Sequence, residues 1–184
     1  VAALSHPALV PVFDFGRDGT RAWIALELAP GEPLAARLSK GPLPLPEALS
    51  LGAGIAEALA AAHAGGVVHG DVSSRNVLVS PSGARLVDFG FSRSAAEGTP
   101  CGTPGYLAPE RLRGERGSPA SDVFGLGAVL FEALTGRLPF GSAPAAIRTA
   151  FAEGLPVAIP TVVPANVAEL VRRCLGPDRR DRPG

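Results

Sequence analysis

The chain of 184 residues has no methionine, one lysine (Lys40), one tryptophan, one tyrosine and two cysteines, Cys101 and Cys174. Two thiols so far apart exclude a disulfide framework. Neither has a second Cys or His at metal-ligand spacing, which excludes a thiolate metal centre. Neither sign of charge is in excess: 17 basic and 17 acidic residues give a formal net charge of +0. The electrostatic basis for holding nucleic acid or an anionic membrane surface is therefore missing. No apolar run reaches the roughly 18–20 residues needed to span a bilayer. The best candidate, around Leu126–Leu134, is interrupted by Glu132, and no signal peptide precedes it. No membrane segment is expected, and a cytoplasmic location is.

What is present is an apolar fraction of 46% against 18% charged residues, the balance of one folded domain long enough to bury a core. Residues 10–15 and 22–28 are short apolar runs joined by Gly16, Asp18 and Gly19, a hairpin pattern. Pro30 and Gly31 break the second run, and Pro33 suits the first turn of a short helix. From Pro46 to Ala64, Leu51, Ile55 and Leu59 recur at helical spacing, and Gly65-Gly66 stop the helix. Val67-Val68, 77–79 and 85–87 have β character, and 94–105 is a loop. A second strong helix begins near Pro119, carries Val123, Leu126, Val129, Leu130 and Leu134 on one stripe and ends at Gly136. Shorter helices are expected near 143–153 and 164–175. The fold class is α+β, mainly helical.

Three motifs follow one another at close spacing. His69-Gly70-Asp71-Val72-Ser73-Ser74-Arg75-Asn76 comes first. Asp88-Phe89-Gly90 begins 17 residues after Asp71, and Gly102-Thr103-Pro104-Gly105-Tyr106-Leu107-Ala108-Pro109-Glu110 comes next. Asp122 then opens an apolar helix. In this order the motifs make the chain resemble the eukaryotic-type (Hanks-type) serine/threonine protein kinase domain, from Leu4-Ser5-His6-Pro7 to Arg182-Pro183. The resemblance implies a kinase-like fold in which residues 1–28 are the last two strands of the N-lobe, running into the hinge. Residues 29–184 would be the C-lobe, with its catalytic loop, activation segment and helical core.

Phosphoryl transfer requires an acceptor hydroxyl held in line and cations that neutralise phosphate charge, with little covalent help from the protein. Magnesium takes hard oxygen ligands and needs only one or two from protein. Asn76 and Asp88 offer such a sparse pair, and Asp71 is then placed to accept the proton of the substrate hydroxyl. The resemblance implies ATP and Mg2+ as cofactors, with protein substrates bearing Ser or Thr acceptors. Glu27 and Ala29 resemble the hinge that binds adenine through backbone groups. Leu26 resembles the gatekeeper, and Leu78 would lie under the adenine ring. His69, Phe89 and Val12 resemble a stacked apolar column, Asp122 a brace under the catalytic loop, and Glu110 with Arg182 a buried ion pair. Thr103 resembles the threonine that contacts the catalytic aspartate in serine/threonine kinases.

The chain also departs from the family pattern. Gly70 replaces the arginine that holds an activation-loop phosphate, although Thr99 and Arg93 stand at the usual phosphoacceptor and second basic positions. Ser73 replaces the lysine that touches the γ-phosphate, and Arg75 is expected to supply that charge instead. Lys40 follows the hinge and cannot be the strand lysine of an ATP clamp. No glycine-rich loop precedes residue 10. The chain opens on Val1 and closes on Arg182-Pro183-Gly184, so it is expected to be an N-terminally truncated piece of a kinase, inactive alone, whose first two strands leave an unpaired edge. Two alternatives stand beside this reading: a pseudokinase acting as a scaffold, and a small-molecule phosphotransferase of the aminoglycoside or choline kinase type. Arg-, Ala-, Gly- and Pro-rich usage suggests a bacterial source, while the oligomeric state is not legible.

Overall fold

The computed structural model of the chain describes residues 6–89, 102–153 and 157–184. Leu4, Ser5, Gly90, Arg93, Thr99 and Cys101, all named above, lie outside the described residues.

Strands β1 (Val12–Asp18) and β2 (Arg21–Leu26) pair antiparallel from Val12↔Leu26 to Asp18↔Arg21 as a separate two-stranded sheet. The turn between them is Gly19-Thr20 alone. Gly16, expected in the connection, lies inside β1 opposite Trp23, whose indole covers it so closely that a Cβ would meet a ring carbon at 2.6 Å. The hairpin leaves Phe13, Phe15 and Ile24 exposed.

Pro33 serves as the N-cap of α1 (Leu34–Leu38) and also closes the short strand β3 (Glu32–Pro33). β3 pairs with β4 (Val77–Ser80), and β4 with β5 (Gly83–Leu86), in the antiparallel order β3-β4-β5. The segment before β1 joins this sheet through two backbone bonds: Leu86 N–H donates to Ala8 O (2.8 Å), and Val10 N–H donates to Leu86 O (3.0 Å).

Helix α2 (Leu45–Ala64) forms where the apolar period predicts it, with Ala48, Leu51, Ile55 and Leu59 buried. Val67-Val68, expected as β, is in no strand. The free carbonyls of the α2 C-terminus capture this segment instead: Gly66 N–H donates to His63 O (2.9 Å) and Val67 N–H to Ala62 O (2.9 Å). By length and composition α2 is apolar enough to cross a bilayer, with a mean hydropathy of 1.2, a test that core helices also pass. Here its apolar face is part of the core and packs on α4 and β5.

Helix α3 (Pro109–Leu112) was not foreseen. Helices α4 (Pro119–Thr135), α5 (Pro144–Ala152) and α6 (Ala165–Cys174) fall where expected. Ser118 caps α4: its hydroxyl accepts from Ser121 N–H (3.2 Å), and Ser121 Oγ accepts from Ser118 N–H (2.8 Å). The interior of α4, including Phe124, Ala128, Val129 and Phe131, is buried and forms the centre of the core.

One glycine on α4 admits the loop that carries the chemistry. A Cβ at Gly125 would come within 2.8 Å of both the carbonyl oxygen and the Cβ of Val72. Gly125→Ala is therefore expected to lower the unfolding free energy by about 1–3 kcal/mol in denaturant titration, because backbone must move. Gly54→Ala on α2 meets its nearest neighbour at 3.7 Å. That change is expected to be neutral or to stabilise by up to about 1 kcal/mol.

Candidate active site

The segment 69–76 crosses the N-terminal end of α4, where Asp122 is almost wholly buried. Its Oδ2 accepts from His69 N–H (2.8 Å) and its Oδ1 from Gly70 N–H (2.8 Å). His63 of α2 reaches Oδ2 through Nε2 at 2.8 Å. Gly70 has φ +80, a left-handed conformation that glycine adopts without the steric cost of a Cβ. Burial holds the His69 imidazole below its usual pKa, against the opposing pull of Asp122, so the ring is neutral. Its Nε2 faces Val87 O at 2.9 Å and must carry the proton, since a carbonyl only accepts. Nδ1 is then the acceptor for Asp71 N–H at 3.2 Å. The same ring meets Phe89 edge-on at 4.5 Å, which brings together two of the three column residues named above.

Asp71 is held from two sides. Thr103 N–H donates to Oδ1 (2.7 Å) and Asn76 Nδ2 donates to Oδ2 (3.0 Å). The expected contact between Thr103 and Asp71 is therefore made by the backbone. The Thr103 hydroxyl bonds to Ser73 Oγ (3.3 Å), the position from which the lysine is missing. With a serine there, wholly buried, that hydroxyl meets a neutral oxygen in place of an ammonium group.

Asn76 also donates to the carbonyl of Asp71 (2.9 Å), so both amide hydrogens point toward Asp71. Its Oδ1 is left as a hard oxygen, and the exposed Asp88 carboxylate is the second one in the loop pair. Asp88 is the one described non-glycine residue with positive φ, at +62, a conformation that costs energy and concentrates at working sites. One amide oxygen and one carboxylate match the small, hard donor set from which magnesium is held together with phosphate and water. Arg75 is exposed on the same loop.

Around the expected hinge, Leu26 ends β2, Ala29 is half-buried and Leu78 lies in β4 opposite Pro33 and Arg85. Glu27 makes a bidentate ion pair with Arg85 of β5 at 2.6 and 3.0 Å. The Arg85 guanidinium also holds Leu9 O (3.0 Å), tying the end of the hairpin to the second sheet. Lys40 is exposed and pairs with Glu32 at 3.0 Å.

Two further linkages brace the site. Arg182 grips Glu110 with bonds of 2.6 and 2.9 Å, both side chains buried, and donates to Gly176 O and Ala120 O at 2.9 Å each. Tyr106 donates to Glu132 of α4 and lies 2.7 Å from Ser74 Oγ. Burial first, and then the bond to Glu132, push the phenol far above its usual pKa, so it stays protonated.

The protein kinase domain model matches residues 1–184. The chain belongs to the protein kinase domain family. It is 36% identical over 202 residues to the serine/threonine-protein kinase pkn2 of Myxococcus xanthus, covering 100% of this chain and 24% of that protein. It is 37% identical over 199 residues to PknA of Mycobacterium tuberculosis, with 100% and 46% covered. To PknL of Mycobacterium tuberculosis it is 39% identical over 148 residues, with 76% and 37% covered. The chain thus spans less than half the length of these bacterial relatives.

In this kinase domain the sequence motifs locate Asp71, Asn76, Asp88, Asp122 and the Glu110–Arg182 pair. They pass over His63, Ser74, Glu132 and Arg85. A signal existed for one of them: Glu132 is the carboxylate that interrupts an otherwise apolar helix, and such a charge needs a partner.

The buried pair gives a test. Burial alone would raise the Glu110 carboxyl, but the hydrogen bonds and charge of Arg182 outweigh it and hold the group below its ordinary value. A depressed folded value stabilises the protein above the ordinary carboxylate range near ~4.3 and is lost as pH falls through the lower folded value. Glu110→Ala, which strands a buried guanidinium, is expected to cost about 3–5 kcal/mol at neutral pH. Denaturant titrations should also show a shallower loss of stability for the variant on acidification below about pH 4.

Proposed function

We propose that the protein containing this chain transfers the γ-phosphate of ATP to serine or threonine hydroxyls of protein substrates. The observation that carries the reading is the double hold on Asp71. The base candidate is tethered to the metal-ligand candidate Asn76 on its own loop and to Thr103 of the segment that would receive the substrate.

In this reading Asp71 orients the acceptor hydroxyl and takes its proton as the oxygen attacks. Asn76 Oδ1 and the Asp88 carboxylate are the residues that would hold magnesium, which when bound neutralises charge on the phosphate oxygens. Arg75 adds a cation on the same loop, with a guanidinium fork suited to phosphate oxygens. Leu26, the backbone of Glu27 and Ala29, and Leu78 form the adenine side, with the Glu27–Arg85 pair fixing the position of the hinge. The Thr103 amide keeps Asp71 in register with the substrate segment. Protein kinase domains use ATP and magnesium and act on protein substrates. A small-molecule phosphotransferase fits less well, because the kinase match includes the segment through Glu110 and the Asp122 helix. A scaffold role leaves the joint geometry of Asp71, Asn76 and Thr103 without a purpose.

The test uses the full-length protein with Mg2+, ATP and a Ser/Thr protein substrate. Asp71→Asn is expected to lower kcat by about 100- to 10,000-fold with an unchanged melting temperature. Arg75→Ala is expected to lower kcat by about tenfold. Full phosphotransfer by Asp71→Asn would sink the assignment of the base, and unchanged kcat in Arg75→Ala would return Arg75 to the role of a solvated loop residue.

A further inference from the structure

The Ser74–Tyr106–Glu132 chain of hydrogen bonds has no part in the chemistry assigned above, yet it joins three separate elements. Ser74 lies on the catalytic loop between Asp71 and Asn76, Tyr106 follows Thr103 in the substrate segment, and Glu132 belongs to α4. Ser74 is 2% exposed and Tyr106 7% exposed, so the bonds between them are shielded from water.

Donor counting fixes the direction of the chain. A phenol has one hydrogen, and that of Tyr106 goes to Glu132, whose carboxylate oxygen accepts it. The 2.7 Å contact between Ser74 Oγ and Tyr106 Oη must then be a donation from the serine. Each bond polarises the next in a buried chain. Removing Ser74 Oγ leaves a phenol oxygen buried with one lone pair unserved, and among the described residues the side-chain hold between the substrate segment and residues 73–76 falls to the weak Thr103–Ser73 contact at 3.3 Å.

We infer that Ser74 is a positioning residue for the proposed phosphotransfer, setting the substrate-receiving segment in register with Asp71 through Tyr106. Asp71 and Ser74 share one short loop, and Thr103 and Tyr106 share one short turn, in which Tyr106 N–H donates to Thr103 O at 3.2 Å. Thr103 holds the loop at Asp71 and Ser73, and the Tyr106–Ser74 bond, three residues along the substrate segment, removes the rotation that a hold at Thr103 alone would leave. Since Asn76 and Asp88 receive nothing from this chain of bonds, the effect falls on the protein substrate and not on ATP. The inference rests on the phosphotransfer reading, and the experiment has an arm that does not.

Ser74→Ala, Tyr106→Phe and the double variant are made in the full-length protein. In denaturant titrations the cycle is expected to show a coupling of about three- to tenfold in the unfolding constant. Additive effects would overturn the linkage whether or not the protein phosphorylates anything. In steady-state assays Ser74→Ala is expected to lower kcat/KM for the protein substrate by about tenfold while the KM for ATP stays within about twofold. Tyr106→Phe should have a similar effect, and the double variant should be no worse than the single ones. A coupled cycle with unchanged kcat/KM for the protein substrate, or equal losses toward both substrates, would overturn the positioning role. A wild-type protein without phosphotransfer would instead defeat the proposed function, with the unfolding cycle still deciding the linkage.

Discussion

The site depends on one buried carboxylate. Asp122 takes the backbone N–H groups of His69 and Gly70 and the ring of His63, and so fixes where the loop leaves its turn. A carboxylate is an acceptor with no donor of its own, and buried at the start of a helix it is favoured by the local N–H groups. Everything downstream inherits that position. With His69 seated, its neutral ring holds the Asp71 amide on one side and Val87 on the other, two residues from Phe89. Removing the carboxylate would leave two inward-facing donors with no acceptor, a larger loss than any single contact at the loop surface.

α4 thus serves as a scaffold at two levels. Its N-terminal end grips the beginning of the loop through Asp122, and about 15 Å further along its axis Glu132 reaches the end of the loop through Tyr106. Between them, Gly125 removes the side chain that would keep Val72 at a distance. The helix itself is held by its own serine cap and by the Arg182 fork, whose guanidinium reaches Glu110, the carbonyl of Ala120 and the face of Phe124 at 5.2 Å. The rigidity of the loop is borrowed from the helix at the centre of the core.

Much of this was legible in the sequence. The two long helices announce themselves by period and by Gly65-Gly66 and Gly136, and the motif order locates Asp71, Asn76, Asp88 and Asp122. What was not legible shares a physical cause: it depends on atoms brought together from distant parts of the chain. Val67-Val68 has β-type side chains, but the nearby end of α2 offered unpaired carbonyls first. Whether Thr103 meets Asp71 by amide or by hydroxyl depends on Ser73, a substitution whose effect appears only once the two segments touch. Glu27 follows the end of β2 and Arg85 lies in β5, and no local pattern pairs them. Helix α2 shows the converse: apolar enough for lipid by composition, it finds its apolar partners within the protein.

The hairpin has an optical consequence. The single tryptophan of this chain, Trp23, lies over Gly16 on β2 and is 45% exposed, whereas the single tyrosine, Tyr106, is buried at the junction of loop and α4. Emission from the indole therefore monitors a two-stranded ribbon with few ties to the rest of the molecule. The near-ultraviolet ellipticity of the phenol monitors the helical body. Melting curves recorded with the two chromophores of this chain measure two different events, and they coincide only where the ribbon and the body come apart together.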